Sequence, residues 1–300
     1  MWGHERAGVS ADTARQRERR LGLLLCAPAV GVMLAVTAFP ILYAVWLSLN
    51  RADLRAPDRN ELIGLANYAT VLASPIWWES FGVTSLITVV STALELVLGL
   101  ALALVMHRTL VARRLVRTVA LIPYGIVTVV AAFSWRYAWT QHTGWLAGAS
   151  APLTDTWSAV GIIILAEVWK TTPFMALLLM AGLALVPEHL LDAAAVDGAG
   201  PWQRLTRITL PIMKPVILVA VLFRVMDAFR IFDNIFVLTN GAHGTASVSI
   251  ITYNNLIKGL NLGIGSTLSV LIFLSIAAIA YGFVKLFGVA GPDGRAGSRA

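Results

Sequence analysis

Long apolar runs separated by short charged connections dominate this chain. Residues 21–50 contain no charged side chain, and neither do residues 259–284. Either run is long enough to cross about 30 Å of hydrocarbon as a helix. Between them the same alternation predicts four more spans, at about 80–106, 118–140, 157–186 and 215–238. Pro28, Pro40, Pro123 and Pro173 fall inside these runs; a membrane helix tolerates them where neighbours satisfy the freed carbonyls. The expected architecture is an all-α polytopic membrane protein with six transmembrane helices. Arg15, Arg17, Arg19 and Arg20 precede the first run as they would in a signal peptide. That run is far longer than a signal-peptide core and is followed by no small-x-small cleavage site, so it reads as a retained helix.

Composition supports a bilayer as solvent. Of 300 residues, 58% are hydrophobic and 13% charged, where a soluble domain carries about a quarter charged. The net charge of +7 fits loops facing anionic lipid. Nothing resembles a nucleic-acid-binding motif, and no nucleic-acid partner is expected. Cys26 is the single cysteine, which excludes an intrachain disulfide and a cysteine-based metal site. His4, His107, His142, His189 and His243 are scattered, with no metal-ligand spacing.

Orientation follows from the Lys and Arg content of the connections. Segments 1–20, 107–117, 187–214 and 285–300 hold 15 such residues, whereas 51–79, 141–156 and 239–258 hold 4. Both termini and the 187–214 connection are therefore expected in the cytoplasm.

That connection carries the most specific pattern in the chain. Asp192 is followed by Ala193-Ala194, then Asp197-Gly198, and after nine further residues Ile208-Thr209-Leu210-Pro211. Glu188, Asp192 and Asp197 are expected to favour a helix N-terminal region through the macrodipole. Gly198, Gly200 and Pro201 predict a bend, and helical character resumes from Trp202 to Ile208. An amphipathic helix resting on lipid is the simpler alternative, but three carboxylates in ten residues suit an anionic leaflet poorly.

The same pattern resembles the cytoplasmic coupling loop of ABC importer permeases, with Asp192 where most of that family has Glu. The resemblance extends to Ile122-Pro123 with Ala132-Phe133-Ser134-Trp135, to Val168-Trp169-Lys170 with Pro173-Phe174, to Ala228 through Asp233, and to Gly64-Leu65-Ala66-Asn67-Tyr68. It covers most of residues 20–288 and is specific to the carbohydrate class. It implies the type I importer fold, with a cytoplasmic segment at 1–20, a transmembrane permease domain at 21–288, a coupling element at 187–210 and a cytoplasmic tail at 289–300. It also implies a multi-pass protein of a bacterial plasma membrane that imports a sugar, a disaccharide such as trehalose being the expectation. The implied partners are a second, homologous permease, two ATP-binding subunits and an extracytoplasmic sugar-binding lipoprotein. In this reading Glu188, Asp192, Ala193, Ala194, Asp197, Gly198 and Arg204 meet the ATPase. The chain has no GxxxxGK[ST] loop, so it is expected to be non-catalytic and to hold no cofactor, ATP and Mg belonging to the partner.

Glu95, Glu167, Lys170, Arg224, Asp227 and Arg230 are among the charges that fall within the predicted spans. Each would cost about 2.5–3.5 kcal/mol at a helix centre facing lipid, so they must face protein or a watery cavity. At about 100° per residue, Glu167, Lys170, Thr171 and Phe174 share one helix face, and Arg224 and Asp227 share another from which Arg230 turns away. Lys170, Thr171, Arg224 and Asp227 are available to hydroxyl groups, and Trp169 and Phe174 offer flat platforms to a sugar ring. In the resembling family the positions of Lys170, Thr171, Phe174, Arg224 and Asp227 line the sugar site. Two readings stand for the pairs Glu167–Lys170 and Arg224–Asp227: a substrate pathway, or ion pairs that only hold the bundle. Glu95 reads as an interhelical structural partner.

Other classes are open to comparison. An ion-coupled secondary transporter would use Glu95, Glu167 or Asp227, but no internal repeat of the usual kind is found. An intramembrane enzyme needs a nucleophile–base or metal cluster that the scattered residues do not supply. An ABC permease for a polyol, glycerol phosphate or amino acid keeps the fold and changes the cargo; Arg224 and Arg230 are compatible with an anionic one.

Overall fold

The computed structural model describes residues 5–108 and 113–287. Part of the predicted N-terminal segment and the tail at 289–300 lie outside the described residues. The first helix, α1 (Glu5–Ser48), leads into a two-residue hairpin, β1 (Asn50–Arg51) with β2 (Glu61–Leu62). The helices that follow are α2 (Ala66–Ala73), α3 (Pro75–Arg108), α4 (Arg113–Gly125), α5 (Thr128–Ala138) and α6 (Thr156–Leu183). Next come α7 (Glu188–Val196), α8 (Pro201–Arg204), α9 (Leu210–Ala228), α10 (Asp233–Leu238), α11 (Val248–Tyr253) and α12 (Leu262–Phe287). Among the described residues five helical stretches are long and apolar enough to cross a membrane, and six if α4 and α5 count as one bent span.

Three expectations need correction. The third span is not one helix: its segments meet at 88° across Ile126–Val127. Pro123 and Gly125 lie just before the turn, where a missing N–H and a residue without Cβ weaken continuation. The fifth span begins near Pro201 rather than Pro215, because the π-helical stretch Leu205–Thr209 joins α8 to α9 without a break. It then breaks after Ala228 and resumes at Asp233. Asp197 does not lie at a helix N-terminus. It caps the C-terminal end of α7, the end at which the macrodipole favours cations.

Helix α6 is the central post. Asp155 starts it by accepting from the Ser158 N–H at 3.0 Å, and these Ser158 contacts hold the Asp155 carboxyl below its usual range. Small residues set its packing distances, as expected where helices associate by close van der Waals contact. A Cβ on Gly99 of α3 would lie 2.8 Å from Met175 Cγ of α6, and one on Gly182 would lie 3.0 Å from Val216 Cγ1 of α9. One buried cluster, with Ile87, Ile163, Ile235 and Ile250, fills the half of the bundle toward α10. A second, with Ala103, Met175, Leu179 and Met213, fills the half toward α7. Helix α1 runs along α12 and leaves most of its apolar side chains exposed, Leu25 at 77% and Met33 at 72%. The hairpin is tied down by Asn67, whose amide donates to the carbonyls of Ser48 and Asn50, each at 2.9 Å.

Candidate functional site

The two broken spans meet beside the middle of α6 and flank a polar cavity of about 590 Å³ that is open on one side. The break between α4 and α5 supplies Tyr124, Ile126 and Thr128. Helix α6 supplies Glu167, Lys170 and Thr171, and the break between α9 and α10 supplies Asp227, Arg230, Asp233 and Asn234. The breaks are held by side chains. Lys170 Nζ donates to the Ile126 carbonyl at 2.7 Å and to that of Tyr124 at 3.4 Å, taking up acceptors that the end of α4 leaves free. Arg136 of α5 donates to the Val237 carbonyl near the end of α10 at 3.1 Å, and Ser247 donates to the Ile231 carbonyl at 3.0 Å.

Behind the cavity wall Arg224 is fully buried and gathers three carboxylates. Its guanidinium bonds both oxygens of Glu95 on α3, reaches Glu167 Oε1 on α6 at 2.7 Å, and reaches Asp227 Oδ2 on its own helix at 2.7 Å. Thr171 Oγ1 accepts from the same guanidinium at 3.2 Å and lies 2.7 Å from Glu95 Oε1. Asn234 of α10 donates to the second oxygen of Glu167. One cation thus ties α3, α6 and α9 together. Glu95 is the interhelical partner expected from the sequence. Asp227 is different, because 57% of its side chain is exposed, so one face pairs with Arg224 while the other opens into the cavity.

The structure brings together Glu167, Lys170, Thr171 and Asp227 on the cavity wall and keeps three other candidates off it. Arg224 stands behind the wall. Trp169 points to a separate apolar hollow with Trp135 and Trp145, its ring edge-on to Trp135 at 6.0 Å. Phe174 stacks on Tyr124 at 5.1 Å, one layer removed from the lining. The Glu167–Lys170 ion pair is not made: Lys170 is spent on carbonyls, and Glu167 on Arg224 and Asn234. Arg230 does not turn away. Helix α9 ends at Ala228, so the helical period no longer applies and Arg230 joins the same lining. Asp233 and Asn234 were not predicted, although polar residues in an otherwise apolar span were the available signal. Among the described residues no cluster of His, Cys, Asp or Glu is arranged to hold a metal ion.

A second feature stands at one end of the bundle. Helix α7 closes with Gly198 at φ +82°, its N–H bonded to the Ala195 carbonyl at 3.1 Å and that of Ala199 to Ala194 at 2.8 Å. This left-handed termination satisfies the last carbonyls. Asp192 and Ala193 are exposed and Ala194 is half-buried. Val196 is 89% and Trp202 is 73% exposed. Glu188 begins the helix and Arg204, half-buried, ends α8. The element is short, and its open side carries small residues, Ala193, Ala195 and Gly198, beside Val196 and Trp202.

Residues 95–288 match the family model of the binding-protein-dependent transport system inner membrane component. The chain belongs to this family. It is 60% identical over 297 residues to the trehalose transport system permease protein SugA of Mycobacterium tuberculosis, with 98% of this chain and 97% of that protein covered. It is 37% identical to the trehalose/maltose transport system permease protein MalF of Thermococcus litoralis, over 91% of this chain and 95% of that protein. The fold superposes on a chain of a bacterial alginate ABC transporter, solved with an alginate pentasaccharide-bound periplasmic protein. The TM-score is 0.78 at 21% identity, covering 91% of this chain and 96% of that one. As an inner membrane component of a binding-protein-dependent system, the chain is a multi-pass ABC transport subunit and not a catalyst. The match begins at Glu95, the carboxylate that Arg224 holds, and it includes both the cavity and the α7–α8 element.

Proposed function

We propose that this chain forms half of the pathway of an ATP-driven sugar importer, with a disaccharide such as trehalose as cargo. A homologous permease supplies the other half, two ATP-binding subunits carry ATP and Mg, and an extracytoplasmic binding lipoprotein delivers the sugar. The polar cavity carries this reading. It is open on one side at the depth of the apolar spans, and its charges cannot face lipid at an acceptable cost. A second polar surface therefore has to cover it. Lys170 and Arg230 share its lining with Glu167, Asp227 and Asp233. Mixed signs suit the many hydroxyls of a neutral sugar better than a phosphate or carboxylate, which half of the lining would repel. The kinship to two permeases named for trehalose supports the cargo. ATP binding and closure of the partner subunits would push on α7 through Asp192, Ala193, Ala194, Asp197 and Gly198, and the turn at Gly198 would pass that motion toward α9; Glu188 and Arg204 face the ends of α3 and α6 instead.

The test is uptake of labelled trehalose by vesicles containing the whole complex. Asp227→Asn keeps the size of the side chain, exchanges one acceptor oxygen for a donor and removes its charge, and is expected to lower uptake about tenfold or more with assembly intact, as for loss of one charged hydrogen bond. Trp169→Ala is expected to change uptake far less. Equal uptake by wild type and Asp227→Asn would overturn the cavity assignment. Uptake that persists without ATP and collapses with an uncoupler would instead support an ion-coupled transporter.

A further inference from the structure

A second cavity, of about 350 Å³, lies where the ends of α3 and α6 meet the α7–α8 element. Its walls are largely aliphatic, with Leu104, Leu183 and Leu191 among them, and its polar lining is His107, Glu188, Arg204 and Thr209. Thr209 is already committed, its hydroxyl donating to the Arg204 carbonyl at 3.3 Å. Arg204 is not: its Nε is buried without a hydrogen-bond partner, and among the described residues no ion pair joins it to Glu188. A guanidinium nitrogen withdrawn from water calls for an acceptor, and an anionic oxygen is the strongest one.

The remaining chemistry narrows that acceptor. The cavity adjoins the ends of two membrane-spanning helices, the level at which headgroups lie, and its aliphatic walls continue the apolar spans. Glu188 on the same lining disfavours a purely anionic ligand and favours one that also carries a cation. We propose that this cavity binds the headgroup of an aminophospholipid. Its phosphodiester accepts from Arg204 and His107, its ammonium donates to Glu188, and its acyl chains follow the Leu104 and Leu183 side. The lipid would then wedge the bundle against α7, tying the transmission of movement to the membrane around it. The inference rests on α7–α8 lying at the membrane surface and is independent of the cargo.

The test uses the complete complex in nanodiscs of equal parts phosphatidylethanolamine, phosphatidylglycerol and phosphatidylcholine, extracted into mild detergent and examined by native mass spectrometry. Wild type is expected to retain phosphatidylethanolamine over the other two. Arg204→Gln is expected to lose that retention about tenfold, the worth of one charged hydrogen bond. Glu188→Gln is expected to keep binding and shift the preference to phosphatidylglycerol. His107→Gln, at an exposed site, gives a smaller loss and keeps the test decisive if Arg204→Gln fails to assemble. Because lipid retention is read without transport, failure of this proposal leaves the sugar reading untouched. Equal retention of all three lipids by wild type, or undiminished retention by both the Arg204 and His107 variants, would overturn it. So would saturable binding of soluble O-phosphoethanolamine without lipid retention, which assigns the site to a free solute. Loss of lipid whenever the ATPase subunits are present also overturns it, assigning Arg204 to a carboxylate of the ATPase.

Discussion

Arg224 shows how a single residue can belong to a site without touching its contents. It is buried, it bonds Glu95, Glu167 and Asp227, and of these Glu167 and Asp227 reach the cavity wall while Glu95 does not. Removing the cation leaves two buried carboxylates uncompensated, a change that costs about 3–5 kcal/mol. Arg224→Met is therefore expected to lower the thermal midpoint of the purified complex sharply, and adding Glu95→Gln to recover part of the loss. A midpoint unchanged by Arg224→Met would show that the network contributes no net stability. Loss of transport in an Arg224 variant thus reports on folding first, and Asp227 is the cleaner probe of the pathway.

At the scale of elements, function resides where helices stop. The turn between α4 and α5 exposes carbonyls that Lys170 takes up, a continuous helix there would leave no cavity, and the interruption after Ala228 brings Arg230 and Asp233 inward. Lys170→Met is expected to loosen the turn and reduce sugar uptake about tenfold, as for loss of one charged hydrogen bond; protease accessibility at residues 124–128 would rise with it. The α7 closure offers an independent test. A Cβ on Gly198 meets nothing within 4 Å, so Gly198→Ala carries only the cost of the left-handed backbone, about 1–2 kcal/mol. That variant is expected to keep the fold while loosening the ratio of sugar transported to ATP hydrolysed. An unchanged ratio would mean that the geometry at Gly198 does not transmit movement.

For the molecule as a whole, the decisive quantity is direction. The excess of Lys and Arg on one set of connections predicts that α7 faces the cytoplasm. In a Cys26→Ser background, Ala193→Cys is expected to react with an impermeant thiol reagent only in inverted vesicles. Ser150→Cys is expected to react only from outside the intact cell. The reverse pattern would invert every functional assignment made for α7. The exposed apolar surface of α1 and the open side of the polar cavity make the chain incomplete alone: lipid can cover the first surface, but not the second.

Hydropathy and a contiguous motif are local properties, so the number and rough limits of the spans, the charge asymmetry of the connections and the family are legible in the order of the residues. That order also marks Glu95, Glu167, Lys170, Arg224 and Asp227 as charges that must be sheltered. Which group shelters which is settled by the packing of the helices. The i,i+3 spacing paired Glu167 with Lys170 on paper, whereas contacts between helices drew Glu167 to Arg224 and Asn234 and sent Lys170 to the carbonyls of a broken neighbour. Helical periodicity turned Arg230 away, and the end of α9 brought it back. Partner choice inside an apolar medium depends on which chain segments meet, and no period along one helix encodes that meeting.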